Sequence, residues 1–135
     1  MIAFFDTSVH VDVLSRRLPL DDAIGAAGGG PVRLSPVVAS ELLRGATGSA
    51  LLSVEELVKR LAPIEPPSWR RCWLEVGRLL PRVYPHHEDV GLARLQNDAL
   101  LALTARYTGT LLLTRDAHFE TLRTHVPFAL RLLCA

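Results

Sequence analysis

Four acids stand where a folded chain rarely puts them: Asp6, Glu41, Asp98 and Asp116. Asp6 directly follows Ile2-Ala3-Phe4-Phe5, an apolar run without polar alternation, which is how a strand buried on both faces reads. Asp116 lies just beyond a second such run, Thr110-Leu111-Leu112-Leu113-Thr114. Two adjacent parallel strands would bring those ends together, at the edge where open α/β sheets bind their ligands. Asp98 is predicted mid-helix, with Leu95, Leu101 and Ala102 three and four positions away and Arg94 on the remaining side. Glu41 repeats that setting, with Val37 and Val38 before it and Arg44 and Gly45 after it. An acid on an apolar helix stripe costs several kcal/mol unless positive charge matches it.

Each acid also has a purely structural reading. Asp6 and Asp116 suit helix N-caps, Asp98 can pair with Arg94 at i,i+4, and Glu41 with Arg44 at i,i+3. Two strand-end acids and two apolar-face helix acids in one strand-gathering fold are hard to obtain by accident. Carboxylates gathered so closely repel one another and raise their own pKa values unless a cation sits among them. The donors are hard oxygens without a His or Cys cluster, which selects Mg2+ or Mn2+ over zinc. The chemistry that wants such a site is phosphoryl transfer, where a metal lowers the pKa of water and neutralises charge on the phosphate.

The elements that must position these acids can be read in order. A helix carrying Val9, Val13 and Leu14 is predicted to run to about Arg17. A short helix starts at Pro19-Leu20-Asp21-Asp22 and ends at Gly28-Gly29-Gly30-Pro31. That glycine run is a turn and not a phosphate loop, because a strand, Val32-Arg33-Leu34, follows it. Ser35-Pro36 supplies an N-cap with proline at the first helical position, and this helix closes near Gly45. A helix from Ser49 to Leu61 and one opened by Pro67-Ser68-Trp69 and reaching about Tyr84 flank an edge strand bracketed by Pro63, Pro66 and Pro67. The longest helix is expected from Glu88 to Tyr107, ended by Gly109. A helix from about Asp116 to His125 and a strand from Phe128 to Leu132 complete the pattern. The expectation is a single α/β domain over residues 1–135, with a mainly parallel five-stranded sheet.

Composition narrows the class. With 135 residues, 49% of them apolar, and a formal net charge of +1, the chain has the makings of a proper core and is neither disordered nor strongly basic. Lys59 is the only lysine; the remaining cations are arginines, which grip phosphate in a planar fork, although a bias in codon use gives the same count. Cys72 and Cys134 have no metal spacing and suit small core positions in a reducing compartment. No signal peptide is expected at the start, and no run approaches the roughly 18 apolar residues of a spanning helix, so a cytoplasmic protein with no membrane role is expected. His86-His87 make a poor metal pair, because neighbouring loop residues rarely face one ion. Ser40 lacks the Gly-x-Ser-x-Gly setting of a serine hydrolase. Trp69 and Trp73 suit core or dimer contact, and His10 a surface role near the pocket mouth.

At its four acids the sequence resembles the PIN-domain ribonucleases, and among them the VapC-type toxins of toxin–antitoxin pairs. The matching stretches are Phe5-Asp6-Thr7-Ser8-Val9, Ser35 through Gly45, Asn97-Asp98-Ala99-Leu100-Leu101-Ala102 and Leu113-Thr114-Arg115-Asp116-Ala117-His118-Phe119. Their order spans essentially the whole chain. The resemblance implies a three-layer α/β/α fold and an acidic pocket of Asp6, Glu41, Asp98 and Asp116, with Asp6 and Asp98 the direct Mg2+ ligands. Thr114 matches a hydroxyl position that supports the last acid and its water. His118 stands where some relatives carry another acid, which bears on whether a second metal binds. The resemblance further implies an RNA substrate, a homodimer and a small cognate antitoxin that blocks the pocket, often with an arginine. Arg16, Arg17, Arg44, Arg94 and Arg115 are candidates to ring that pocket. Rival readings are a PIN nuclease acting in RNA processing or on structured DNA without an antitoxin, and a non-catalytic module whose acids dock a partner's arginine. An aspartyl phosphatase is disfavoured, since the second Asp it needs is replaced by Ser8.

Overall fold

The computed structural model describes residues 1–89 and 91–133; Cys134, expected as a core residue, lies outside them. In chain order the elements are β1 (Ala3–Phe5), α1 (Thr7–Leu14), α2 (Leu20–Ala26), β2 (Val32–Arg33), α3 (Pro36–Gly45) and α4 (Gly48–Arg60). Then come α5 (Trp69–Val83), a 3₁₀ turn (His87–Asp89), α6 (Leu92–Thr108), β3 (Leu111–Thr114), α7 (His118–Arg123) and β4 (Ala129–Leu132).

The strands form one parallel sheet in the order β2-β1-β3-β4. β1 and β3 lie side by side, with Ala3 opposite Leu111 and Phe5 opposite Leu113, so the two strand-end acids do meet. Strand alternation divides the core between two faces. Phe4 and Leu112 point to one side, against Val38 and Leu42 of α3, Cys72 and Val76 of α5, Leu100 and Leu103 of α6 and Phe119 of α7. Ala3, Phe5 and Leu113 point to the other, against Val9 of α1 and Ala23 of α2. Helices therefore cover both faces, giving the expected three layers.

The sheet has four strands and not five. The expected fifth, around Ile64, is reduced to a single parallel bridge between Leu34 and Pro63. Leu34 donates its N–H to Ala62 O at 2.9 Å and accepts that of Ile64 at 3.0 Å. Pro63, Pro66 and Pro67 have no N–H to extend the ladder further.

Local chemistry sets the helix limits. Ser35 is fully buried and its Oγ accepts the Val37 N–H at 3.2 Å, with Pro36 in the first turn, which aims α3 and Glu41. α1 ends at Leu14, short of the expected Arg17, because Arg16 turns to φ 61°. α6 starts at Leu92 and not Glu88, since Gly91 at φ 78° breaks the backbone after the 3₁₀ turn. Gly109 at φ 65° closes it, as expected. In the glycine turn it is Gly30 that has no substitute, because a Cβ there would strike the Met1 carbonyl. Among the described residues no helix is long and apolar enough to cross a membrane.

Candidate active site

β1 delivers Asp6 to the carboxyl edge of the sheet, 7% exposed, where it also caps α1. Its Oδ1 accepts the Thr7 N–H at 2.6 Å, and its Oδ2 accepts the Thr114 hydroxyl at 2.8 Å and that of Ser8 at 3.3 Å. Asp6 is thus the N-cap of α1 and at the same time stands beside the second strand-end acid. Burial raises its pKa above the ordinary value, more than these hydrogen bonds lower it, and the charge of Asp116 adds to the rise.

Thr114 ends β3 and is fully buried. Its hydroxyl donates to Asp6 and accepts the Asp116 N–H at 3.0 Å, so one oxygen links the two strand-end acids. Asp116, half-buried, accepts the His118 N–H on Oδ1 at 2.9 Å and Arg94 Nη2 on Oδ2 at 2.6 Å. Burial alone would raise its pKa, but those two donors and the nearby positive charge outweigh it and hold the group below its ordinary value.

Asp98 is 8% exposed on α6, and among the described residues its carboxylate accepts no hydrogen bond. Burial first, and then the charges of Asp6 and Asp116, push its pKa up to about 8; Glu41 adds to the rise and Arg94 opposes it. Asp6, Asp116 and Glu41 are thus near enough for their charges to act on Asp98. Glu41 is half-buried, less than its helix stripe suggested, and its Oε1 accepts the Thr7 hydroxyl at 3.1 Å.

The local pairings expected for Asp98 and Glu41 do not form. Arg94 reaches Asp116 and not Asp98, and among the described residues Glu41 makes no ion pair with Arg44. Of the five candidate arginines Arg94 enters the pocket, its side chain 68% exposed; Arg17 and Arg115 turn instead to Asp12. Asp12, not among the acids singled out from the sequence, sits half-buried 2.5 Å from Arg115 Nε. Tyr84 was also missed by sequence reasoning. Its hydroxyl donates to His118 O at 3.4 Å, and its pKa is raised by burial and then by Asp98 and Asp116. Nothing in the spacing of α5 marks it. His118 enters the site through its backbone; its ring is exposed at the rim, 6.3 Å from that of Tyr84. His10 is not a surface residue: it is 3% exposed against Phe5, and burial lowers its pKa to about 4.

The donor set suits a hard divalent cation. It is made of oxygens, it concentrates negative charge, and Asp98 has neither a hydrogen-bond donor nor a cation of its own. Among the described residues no three of these side chains are drawn together into a finished ligand cage. Arg94 holds Asp116, and the two threonines hold Glu41 and Asp6. An apolar groove of about 430 Å3 opens beside Thr7 and Glu41, between α1, α3 and α4, lined by Val11, Leu14, Leu42 and Val54.

Comparison with known proteins fits this geometry. The family model described as PIN domain matches residues 3–124. No curated protein matches the sequence. Among solved structures, the fold is similar to VapBC2 from Rickettsia felis bound to a DNA fragment from their promoter. The TM-score is 0.68 at 16% identity, covering 99% of this chain and 100% of that one. It is also similar to VapBC-1 from nontypeable Haemophilus influenzae, with TM-score 0.63, 16% identity and 98% of each chain covered. VapBC-5 from Mycobacterium tuberculosis, a member of the VapBC family of toxin-antitoxin systems, gives TM-score 0.58, 20% identity and 98% of each chain. At such identities the structural likeness speaks for the fold alone.

Proposed function

This chain belongs to the PIN-domain family, and from that premise we propose that it is a Mg2+-dependent endoribonuclease, the toxin of a toxin–antitoxin pair, acting in the cytoplasm. The observation that carries the reading is Asp98: a buried carboxylate without a hydrogen-bond donor, among three other acids, with its pKa at about 8. A fold gains nothing by keeping such a group, and a divalent cation makes it useful.

Asp6 and Asp98 are the proposed Mg2+ ligands, with Mn2+ as a substitute, and Glu41 and Asp116 complete the pocket by orienting water. Bound there, the ion would supply a lowered pKa for the attacking water and positive charge at the phosphodiester. Thr114 keeps Asp6 and Asp116 in fixed relation through one hydroxyl. Arg94, long and exposed, offers a guanidinium at the pocket mouth that suits a phosphate oxygen. For a protein partner, the apolar groove leading away from Glu41 supports a cognate antitoxin, in line with the VapBC complexes this fold resembles. For a homodimer, support comes from Trp73 and Leu74 on α5, 47% and 46% exposed beside a cavity between α3, α5 and α6.

One observation favours the second reading, a non-catalytic module. The Arg94–Asp116 pair already neutralises part of the pocket from within. Cleavage of a mixed RNA pool decides between them, using antitoxin-free protein with Mg2+, with EDTA, and with Asp98→Asn in parallel. Discrete cuts lost in EDTA and in the variant are expected. RNA left equally intact by the wild type and Asp98→Asn, across pools that include structured transfer and ribosomal RNA, would sink the nuclease reading.

A further inference from the structure

We propose that the Asp12–Arg115 ion pair is the positioning device of the acidic pocket: it fixes the corner after β3 against α1, so that Thr114 and Asp116 stay in place on Asp6. Its catalytic consequence rests on the nuclease reading; its structural consequence does not.

Asp12 is oddly placed by local chemistry. It lies in the last turn of α1, at the negative end of the helix dipole, where an acid is disfavoured. An opposite charge held close by removes that cost. Arg115 supplies it at 2.5 Å, with the two side chains only 16% and 28% exposed. The rival partner, Arg17, is 3.9 Å away and 74% exposed, so the inner contact is with Arg115. Arg115 Nε is buried and makes no directed hydrogen bond, so the contact lies off the N–H axis and holds by charge.

Arg115 also occupies the position where such a tie matters. It stands between Thr114, whose hydroxyl meets Asp6, and Asp116, whose N–H meets that hydroxyl. Residues 115–117 lie outside β3 and α7, and no regular ladder fixes them. Among the described residues, Arg115 gives this corner its one side-chain tie to α1. Asp6 caps the same helix on which Asp12 sits. A closed ring results, from Asp6 along α1 to Asp12, across to Arg115, and back through Thr114 to Asp6. Side chains aimed into the pocket are Asp6, Thr114 and Asp116; Asp12 and Arg115 touch none of the reacting positions and act through the ring.

The test measures three things on folded wild type, Asp12→Asn, Arg115→Met, Arg115→Lys and the exchanged pair Asp12→Arg/Arg115→Asp. They are amide exchange at Asp116 by NMR, Mn2+ affinity by calorimetry, and kcat and KM on a cleaved RNA. Asp12→Asn and Arg115→Met should expose the Asp116 amide to exchange, weaken Mn2+ several-fold and lower kcat about tenfold or more with KM little changed, as expected for displaced groups. Arg115→Lys and the exchanged pair should recover part of each loss, which loss of general stability would not allow. An Asp116 amide protected as in the wild type in both single variants would overturn the proposal. Unchanged Mn2+ affinity and kcat in both would overturn it as well. A wild type that binds no Mn2+ and cuts no RNA would sink the nuclease reading, while the Asp116 amide still decides the role of the ion pair.

Discussion

At the scale of single residues, Asp98 and His10 act on the stability of the metal-free protein in opposite directions with pH, and Asp98, displaced further from its ordinary value, dominates. The Asp98 carboxyl has a pKa of about 8 when folded and 3.8 as the ordinary value. The folded state therefore binds this proton more tightly than the unfolded chain. The contribution is fully present below pH 3.8, and it is lost as pH rises toward and through about 8. Metal-free wild type should accordingly melt at a lower temperature at pH 8.5 than at pH 5, and Asp98→Asn should abolish that fall and leave the opposite, shallower slope that buried His10 imposes. The variant should gain on the order of 5 °C at the alkaline end while losing cleavage. Calorimetric scans in EDTA would check this; a variant with the wild-type pH slope would count against it. At the proposed metal site an ion must displace the same proton, so Mn2+ affinity should climb by about tenfold per pH unit below pH 8 and then level off. Arg94→Gln should tighten Mn2+ binding, since it removes the cation that now holds Asp116, while raising KM for RNA. The four acids were legible in the sequence because each broke an expectation of polarity. Asp12 and Tyr84 broke none. Only the packing of α1 against the corner after β3, and the reach of Tyr84, just past α5, to the His118 carbonyl, gives them their roles.

At the scale of elements, legibility followed the strength of local chemistry. Ser35-Pro36 and Gly109 are stereochemical commands, and the structure obeys both. Asp98 reaches the pocket only if α6 holds its register, and Gly109 fixes that register at one end. Gly109→Ala, forced to keep φ 65°, should cost about 1 kcal/mol in urea denaturation. Ser35→Ala should cost about 1 kcal/mol by removing the α3 cap. An unchanged midpoint in either case would mean that the end in question is held by packing alone. The boundaries that sequence reasoning misplaced had a different origin. Glu88 and Asp89 carry acidic chemistry suited to a helix start, but they form a separate 3₁₀ turn because Gly91 turns left-handed behind them. Arg16 likewise stops α1 through a positive φ that no residue type announces.

For the whole molecule, the three layers followed from two fully apolar strands in one α/β alternation, and the sheet size did not. Whether Ile64 makes a strand or one bridge depends on how many N–H groups its prolines leave, and on the neighbour it finds. The exposed face of α5 belongs to this scale too. Trp73→Glu should convert a dimer into a monomer by light scattering with the circular dichroism unchanged. A wild type already monomeric at high concentration would remove the homodimer from the account.

The hydrogen bond from Thr114 to Asp6 joins residues 108 positions apart. Asp6 is made 108 residues before Thr114, and its partner strand is among the last of the described elements to follow. Until Leu111–Thr114 has emerged, β1 has no central neighbour, and Asp6 has neither Thr114 nor Asp116 beside it. A chain interrupted between the two therefore lacks the gathering of acids at the sheet edge, and synthesis itself separates Asp6 in time from the groups that hold it.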